Sequence, residues 1–203
     1  MKFKTKHVVL LSVLLLAADQ ISKILVKTHM TLDQHIAVLG KWFYIRFIEN
    51  PGAAFGFELG GEYGKLILSL FRIAAVILII IYLRKLLKRS TTPTGVLVGF
   101  TMILVGAFGN IVDSVFYGMI FSGSTVTQVA SIVPWGEGYG TFLHGNVVDM
   151  LYFPIIRIDM MPEWIPIWGG EPFVFFSPIF NLADSYISVA LIYLLIFQRK
   201  FFL

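Results

Sequence analysis

The sequence predicts an all-α membrane bundle of four transmembrane helices, with a small β-structured segment and one long loop on the extracytoplasmic side. Three observations predict it. The 203 residues are 57% hydrophobic and only 14% charged, whereas a soluble domain carries about a quarter charged residues. Four apolar runs reach the length of about 20 helical residues that a bilayer requires. Positive charge gathers at the ends of those runs. Nine of the sixteen Lys and Arg residues form three clusters free of acidic residues: Lys2, Lys4 and Lys6; Arg84, Lys85, Lys88 and Arg89; Arg199 and Lys200.

The predicted spans run from about 7 to 27, 65 to 83, 95 to 115 and 178 to 197, within a single polytopic domain over residues 1–203. Basic residues flank spans on the cytoplasmic side. Both termini and the turn after Leu83 are therefore expected inside, and segments 28–64 and 116–177 outside. The net charge of +4 reports this topology and not a nucleic-acid partner. The absence of cysteine removes disulfides, thiolate catalysis and Cys-ligated metal. The basic, apolar N-terminus resembles a cleavable signal, but no small-residue cleavage pattern follows it, and a retained first span is expected.

Outside the spans, Trp42 to Glu49 is rich in β-formers and runs into Asn50, Pro51 and Gly52, a strand entering a turn. Ser177 and Pro178 predict the cap and first turn of the fourth helix. A segment as long as 116–177 is usually functional when it lacks structure.

Ionisable residues inside spans are costly and point to function by default. Here they are Asp19 and Lys23 in the first span, Arg72 in the second, Asp113 in the third and Asp184 in the fourth, with Asn110 and Asn181 beside them. At a rise of about 1.5 Å per residue, all lie within roughly 12 Å of the outer ends of their helices. Asp19 and Lys23 are four apart, and Asn110 with Asp113 and Asn181 with Asp184 three apart, so each pair shares a face. Polar residues also serve as interhelical glue, which is the plainer account of Asp19 with Lys23. The shared depth of the whole set points to a site.

The four His residues are scattered, with no His-Glu-x-x-His pattern, and there is no Gly-x-Ser-x-Gly elbow. No metal and no cofactor are expected. Carboxylates dominate, and two neighbouring carboxylates can share a proton, one activating water and the other protonating a carbonyl oxygen. Pattern offers Asp113, Asp149 and Asp184 and does not choose two. A proton- or ion-coupled transporter with a carboxylate relay is the alternative, although transport needs a site near the midplane open to both sides. A structural subunit is the third class.

Five blocks, spread over nearly the whole chain, resemble signal peptidase II, the lipoprotein signal peptidase family. They are D-Q-I-S-K (Asp19 to Lys23), E-N-P-G-A-A-F-G (Glu49 to Gly56), G-A-F-G-N-I-V-D (Gly106 to Asp113), V-V-D-M-L-Y-F (Val147 to Phe153) and F-N-L-A-D-S (Phe180 to Ser185). The resemblance implies that Asp149 and Asp184 are the catalytic pair. Asn110, Asp113 and Gly106 would support the site from the third helix, and Asn181 and Ala183 would flank the second aspartate. Asp19 and Lys23 would stabilise the site, and Asn50 would belong to the β-structured segment that cradles substrate. It further implies a monomeric enzyme of the bacterial cytoplasmic (inner) membrane, its active site toward the outer side among membrane lipid. Its substrates would be prolipoproteins bearing diacylglycerol on the cysteine after the cut.

Two features depart from the family pattern. Where the family usually has arginine after the third-helix aspartate, this chain has Ser114. Arg72, at similar depth, can supply a cation there or snorkel to the interface, and both readings stay open. The stretches Phe121 to Gly145 and Pro154 to Phe176 also look extended. Their Trp135, Trp164 and Trp168 suit anchoring at the bilayer interface or a lid. His144 and Asn146 are expected to shape their loop.

Overall fold

The computed structural model describes residues 3–51, 61–167 and 169–203. Gly52 to Gly56 of the second block, and Trp168, lie outside them. Helix α1 (Thr5–His29) shows how the bundle meets its surroundings. Its apolar residues Val9, Leu10, Val13 and Leu14 are more than half exposed, while Asp19, Lys23 and Lys27 are 0% exposed. A helix that is apolar outside and polar inside is adapted to a lipid solvent, because only the bundle interior can satisfy ionised groups.

Helix α2 (Gly61–Lys88) and helix α3 (Thr94–Val112) complete the three helices that, among the described residues, are long and apolar enough to cross a membrane. Pro93 stands at the α3 N-cap with extended backbone, where its missing N–H costs nothing. Helix α3 is central and packs on α1, α2 and α5 (Leu182–Phe197). It meets the α5 backbone closely at Gly106, where a Cβ would collide with the Ala183 carbonyl oxygen and stand 2.6 Å from Ile187 Cγ1. At its C-terminal end α3 widens into a π-helical turn, Asp113–Tyr117, followed by α4 (Gly118–Ile120).

The sheet end of the bundle carries more β-structure than the sequence predicts. Strands β1 (His35–Leu39), β2 (Phe43–Asn50), β3 (Val147–Tyr152) and β6 (Ile179–Phe180) form an antiparallel sheet in the order β1-β2-β3-β6. Strands β4 (Ile156–Ile158) and β5 (Phe173–Phe175) pair separately as the base of a hairpin. The register sets Ile48 opposite Asp149 and Asn50 opposite Val147, with an irregularity between Ile45 and Ile48. Phe47, Val148 and Met150 pack the sheet onto Met30, Tyr117 and Phe121 at the ends of α1 and the π turn. The opposite end of the bundle is held by Val8, Leu83, Leu86, Val96, Leu97 and Leu194.

The fourth helix begins later than Ser177 and Pro178 suggest. Ile179 and Phe180 pair with Tyr152 and Leu151, and Asn181 is the cap. Its side-chain oxygen accepts the Asp184 N–H at 2.9 Å while its own N–H donates to Asp184 Oδ2 at 3.4 Å. This reciprocal box prevails over the Ser-Pro signal because the strand pairing holds the preceding residues extended. Helix α5 therefore has 16 residues, and the short α6 (Arg199–Phe202) follows after Gln198. The segment 121–145 is docked rather than loose: the Leu32 N–H donates to Thr125 O and the Gly145 N–H to Ser114 O.

Candidate active site

Among the described residues, Asp19, Lys23, Asn50, Arg72, Asn110, Asp113, Asp149, Asn181 and Asp184 converge where the sheet-side ends of α1, α3 and α5 meet strand β3. Lys23 is the hub. Its Nζ lies 3.0 Å from Asp19 Oδ2 and 2.9 Å from Asp113 Oδ2, and donates to Asn110 Oδ1 at 2.9 Å. All three ammonium protons thus have acceptors. A buried cation is tolerated on such terms, since pairing and hydrogen bonds offset its lost hydration.

The two carboxylates beside Lys23 are fully engaged. Asp19 accepts the Ala183 N–H at 3.0 Å, tying α1 to the first turn of α5. Asp113 accepts from Gln20 Nε2 at 3.0 Å and from the Val148 N–H at 3.2 Å, tying the π turn to β3. Both are completely enclosed. Gln20, fixed in turn by the Tyr117 hydroxyl at 3.1 Å, spans both carboxylates.

Asp149 and Asp184 are held differently. Asn181 Nδ2 donates to Asp149 Oδ1 at 2.7 Å and to Asn110 Oδ1 at 3.1 Å, and Asn110 Nδ2 donates to Asp184 Oδ1 at 2.7 Å. Asn50 Nδ2 reaches the other oxygen of Asp149 at 3.2 Å. Two amides bonded to each other therefore each orient one aspartate. Asp184 keeps part of its surface open, and Asp149 stands at the edge of enclosure with 4% exposure. Burial, and then the Asp184 charge, push the Asp149 carboxyl up to about 7, against the opposing pull of the Asn50 and Asn181 hydrogen bonds and Lys23.

Of the remaining sequence candidates, Gly106 and Ala183 form the α3–α5 contact. His144 and Asn146 contact their own surroundings: His144 Nδ1 lies 2.9 Å from Phe142 O, and Asn146 donates to Glu49 Oε2 at 3.0 Å. A second polar knot escaped the sequence reading. Lys27 is buried against the rings of Tyr139, Phe121 and Phe47, pairs with Glu49 and donates to Ser124. Burial would raise the Glu49 carboxyl, but Lys27 and the hydrogen bonds from Asn146 and Ser124 prevail and hold it below its usual range. The signal was present, since Asp19, Lys23 and Lys27 recur every four residues along one face of α1.

Two carboxylates oriented by amides, one in the first turn of an apolar helix and one on the adjoining strand, fit a membrane-embedded hydrolase of the aspartic type. A family model described as Signal peptidase (SPase) II matches residues 11–200, and the chain belongs to that family of aspartic-type peptidases. It is 53% identical to a lipoprotein signal peptidase of Porphyromonas gingivalis over 191 residues, covering 94% of this chain and 82% of that one. It is 38% identical to one of Amoebophilus asiaticus, covering 91% and 75%. A bacterial membrane enzyme solved by the in meso method at 2.3 Å resolution shares the fold, with a TM-score of 0.63 at 23% identity over 98% of this chain and 91% of that one.

Proposed function

We propose that this chain is a membrane endopeptidase that removes the signal peptide from diacylglyceryl-modified prolipoproteins, cutting before the lipidated cysteine with Asp149 and Asp184 as its catalytic pair. One observation carries the choice of pair. Asp113 is fully enclosed and taken up by Lys23, Gln20 and the β3 backbone. Asp149 and Asp184 are each fixed by an amide yet stand at the margin of the enclosed region.

Asp149, raised to about 7, holds the shared proton. Asp184, third residue of α5, lies where first-turn N–H groups favour negative charge, and acts as base. Asp184 takes a proton from water as the water oxygen attacks the scissile carbonyl carbon, and Asp149 gives its proton to the carbonyl oxygen. In the collapse, Asp184 passes its proton to the leaving nitrogen as the C–N bond breaks, and Asp149 recovers one from the diol. Both residues end as they began, with no covalent intermediate.

The membrane setting belongs to the same proposal. Helices α1, α2 and α3 each cross, and α5 with α6, from Leu182 to Phe202, spans about 30 Å. The termini lie in the cytoplasm, the sheet outside, and the site in the outer leaflet of the bacterial cytoplasmic membrane. There a monomer meets substrates whose lipid tails and signal helix are already in the bilayer. The core at the inner end of the bundle is the apolar cluster of Val8, Leu83, Leu86, Val96, Leu97 and Leu194, which favours a one-sided hydrolytic site over a proton relay.

Purified in detergent and given a diacylglyceryl-modified prolipoprotein, Asp149→Asn and Asp184→Asn should each bind substrate and lose kcat by about a thousandfold. Wild-type turnover by either variant would sink the assignment.

A further inference from the structure

The guanidinium of Arg72 stands at this site and takes no part in the hydrolytic scheme. It stands on α2, in the outer half of the helix, beside α3. Ser69, one turn earlier on the same face, is buried and donates to Leu143 O at 3.3 Å, which shows that this face of α2 looks inward. Arg72 does not turn to the surface to find a partner. Its Nη1 donates to Ser114 Oγ at 3.3 Å, and Ser114, buried in the π turn directly after Asp113, donates onward to Asn110 O at 3.0 Å. The guanidinium is thus tethered to the backbone of the residue that orients Asp184.

Arg72 is nevertheless not neutralised. Among the described residues no carboxylate lies within ion-pair distance of it, although the charges of Asp184, Asp113 and Asp149 all act on it. A guanidinium has five N–H donors. One is engaged with Ser114, which leaves four without a partner among the described residues. Donors left open beside carboxylates, in a setting poor in water, suit an acceptor that arrives with the substrate. An extended peptide supplies such acceptors as backbone carbonyl oxygens, and a planar fork of donors matches them in direction as a lysine would not.

We infer that Arg72, tethered by Ser114, grips a backbone carbonyl of the prolipoprotein next to the scissile bond and so sets the register of the cut. This rests on the reading of Asp149 and Asp184 as the catalytic pair. Arg72 is a substrate-binding residue in this scheme and takes no part in proton transfer.

The experiment uses the full chain in detergent with a diacylglyceryl-modified prolipoprotein. Arg72→Leu should raise KM about tenfold or more, the loss of one charged hydrogen bond, with kcat within about threefold of wild type. The swap Arg72→Leu/Ser114→Arg, which delivers the guanidinium from α3 instead, should bring KM back to within about threefold. Binding is measured separately in the Asp184→Asn background, where Kd should weaken and recover in the same order. If Asp184→Asn still cleaves, the catalytic pair fails while the Arg72 measurements retain their own meaning. An unchanged KM and Kd in Arg72→Leu overturns the inference. So does a loss confined to kcat or to thermal stability, or a folded swap variant that binds no better than Arg72→Leu. Should Arg72→Leu not fold, the swap variant alone decides: near-wild-type KM supports the inference and a tenfold rise overturns it.

Discussion

Asn181 donates its side-chain N–H to Asp149 Oδ1 at 2.7 Å. That single contact joins the cap of α5 to strand β3 of the four-stranded sheet. The same amide carries the helix cap through its oxygen, which accepts the Asp184 N–H. The placement of one aspartate and the helical start of the other thus depend on one side chain.

Two substitutions separate these duties. Asn181→Ser keeps an N-cap oxygen but cannot reach Asp149, so thermal stability in detergent should hold while kcat falls about a hundredfold. Asn181→Ala should lose the same activity and a further ~1 kcal/mol of stability through the missing cap. Equal melting temperatures for the two variants would contradict this division.

The raised Asp149 carboxyl predicts a pH dependence. In the proposed scheme Asp149 donates its proton, so kcat/KM should fall as pH rises above about 7. Removing the Asn50 hydrogen bond, which favours the ionised form, should move that alkaline limb upward in Asn50→Leu. The stability effect has the same origin. The folded chain binds this proton more tightly than the unfolded chain, so the stabilisation is full below the ordinary carboxylate range near 4 and is lost as pH rises through about 7. Asp149→Asn should abolish that decline in melting temperature.

Lys23 serves structure first. Lys23→Leu would leave Asp19 and Asp113 buried without their cation, and breaking a buried pair costs roughly 3–5 kcal/mol. Thermal unfolding should show that loss. Asp113→Asn leaves Lys23 paired with Asp19, so its stability loss should be smaller. Its activity should fall through displacement of β3 rather than vanish, in contrast to Asp149→Asn.

Gly106→Ala tests how closely the helices must approach. The added methyl meets the Ala183 backbone and Ile187, driving α5 from α3 and Asp184 from Asn110. Misplacement by about 1 Å can cost a hundredfold in rate, and kcat should drop by that order with little change in secondary structure by circular dichroism.

The first three spans and the strand before Asn50 were legible because hydropathy and β-former runs are local signals. The same-face pairs Asp19 with Lys23, Asn110 with Asp113 and Asn181 with Asp184 were legible because their spacing follows the helical period. Other features depend on contacts between distant residues. Strand β3 shows no alternation because both its faces are buried, so Asp149 gave no sign of lying on a strand. Strand β6 is two residues long and exists through its pairing with β3. For that reason Ser177 and Pro178 mimicked a helix start that Asn181 makes instead. The distinct standing of Asp113 and Asp149 follows from the partners of each, and spacing alone does not reveal it. Lys27 matched the pattern of a flanking cation, yet the rings of the docked 121–145 segment enclose it.

The pairing of Leu151 with Phe180 and Tyr152 with Ile179 has an evolutionary consequence. It pins together the two ends of the stretch that carries the β4–β5 hairpin, and both aspartates lie outside that stretch. Lengthening a loop whose ends are already fixed costs little, about 0.6 kcal/mol per doubling. The hairpin is therefore a place where the chain can gain, lose or exchange residues while the chemistry stays unchanged. Diversity among related enzymes should collect there, and an inserted epitope or fluorophore should be tolerated there first.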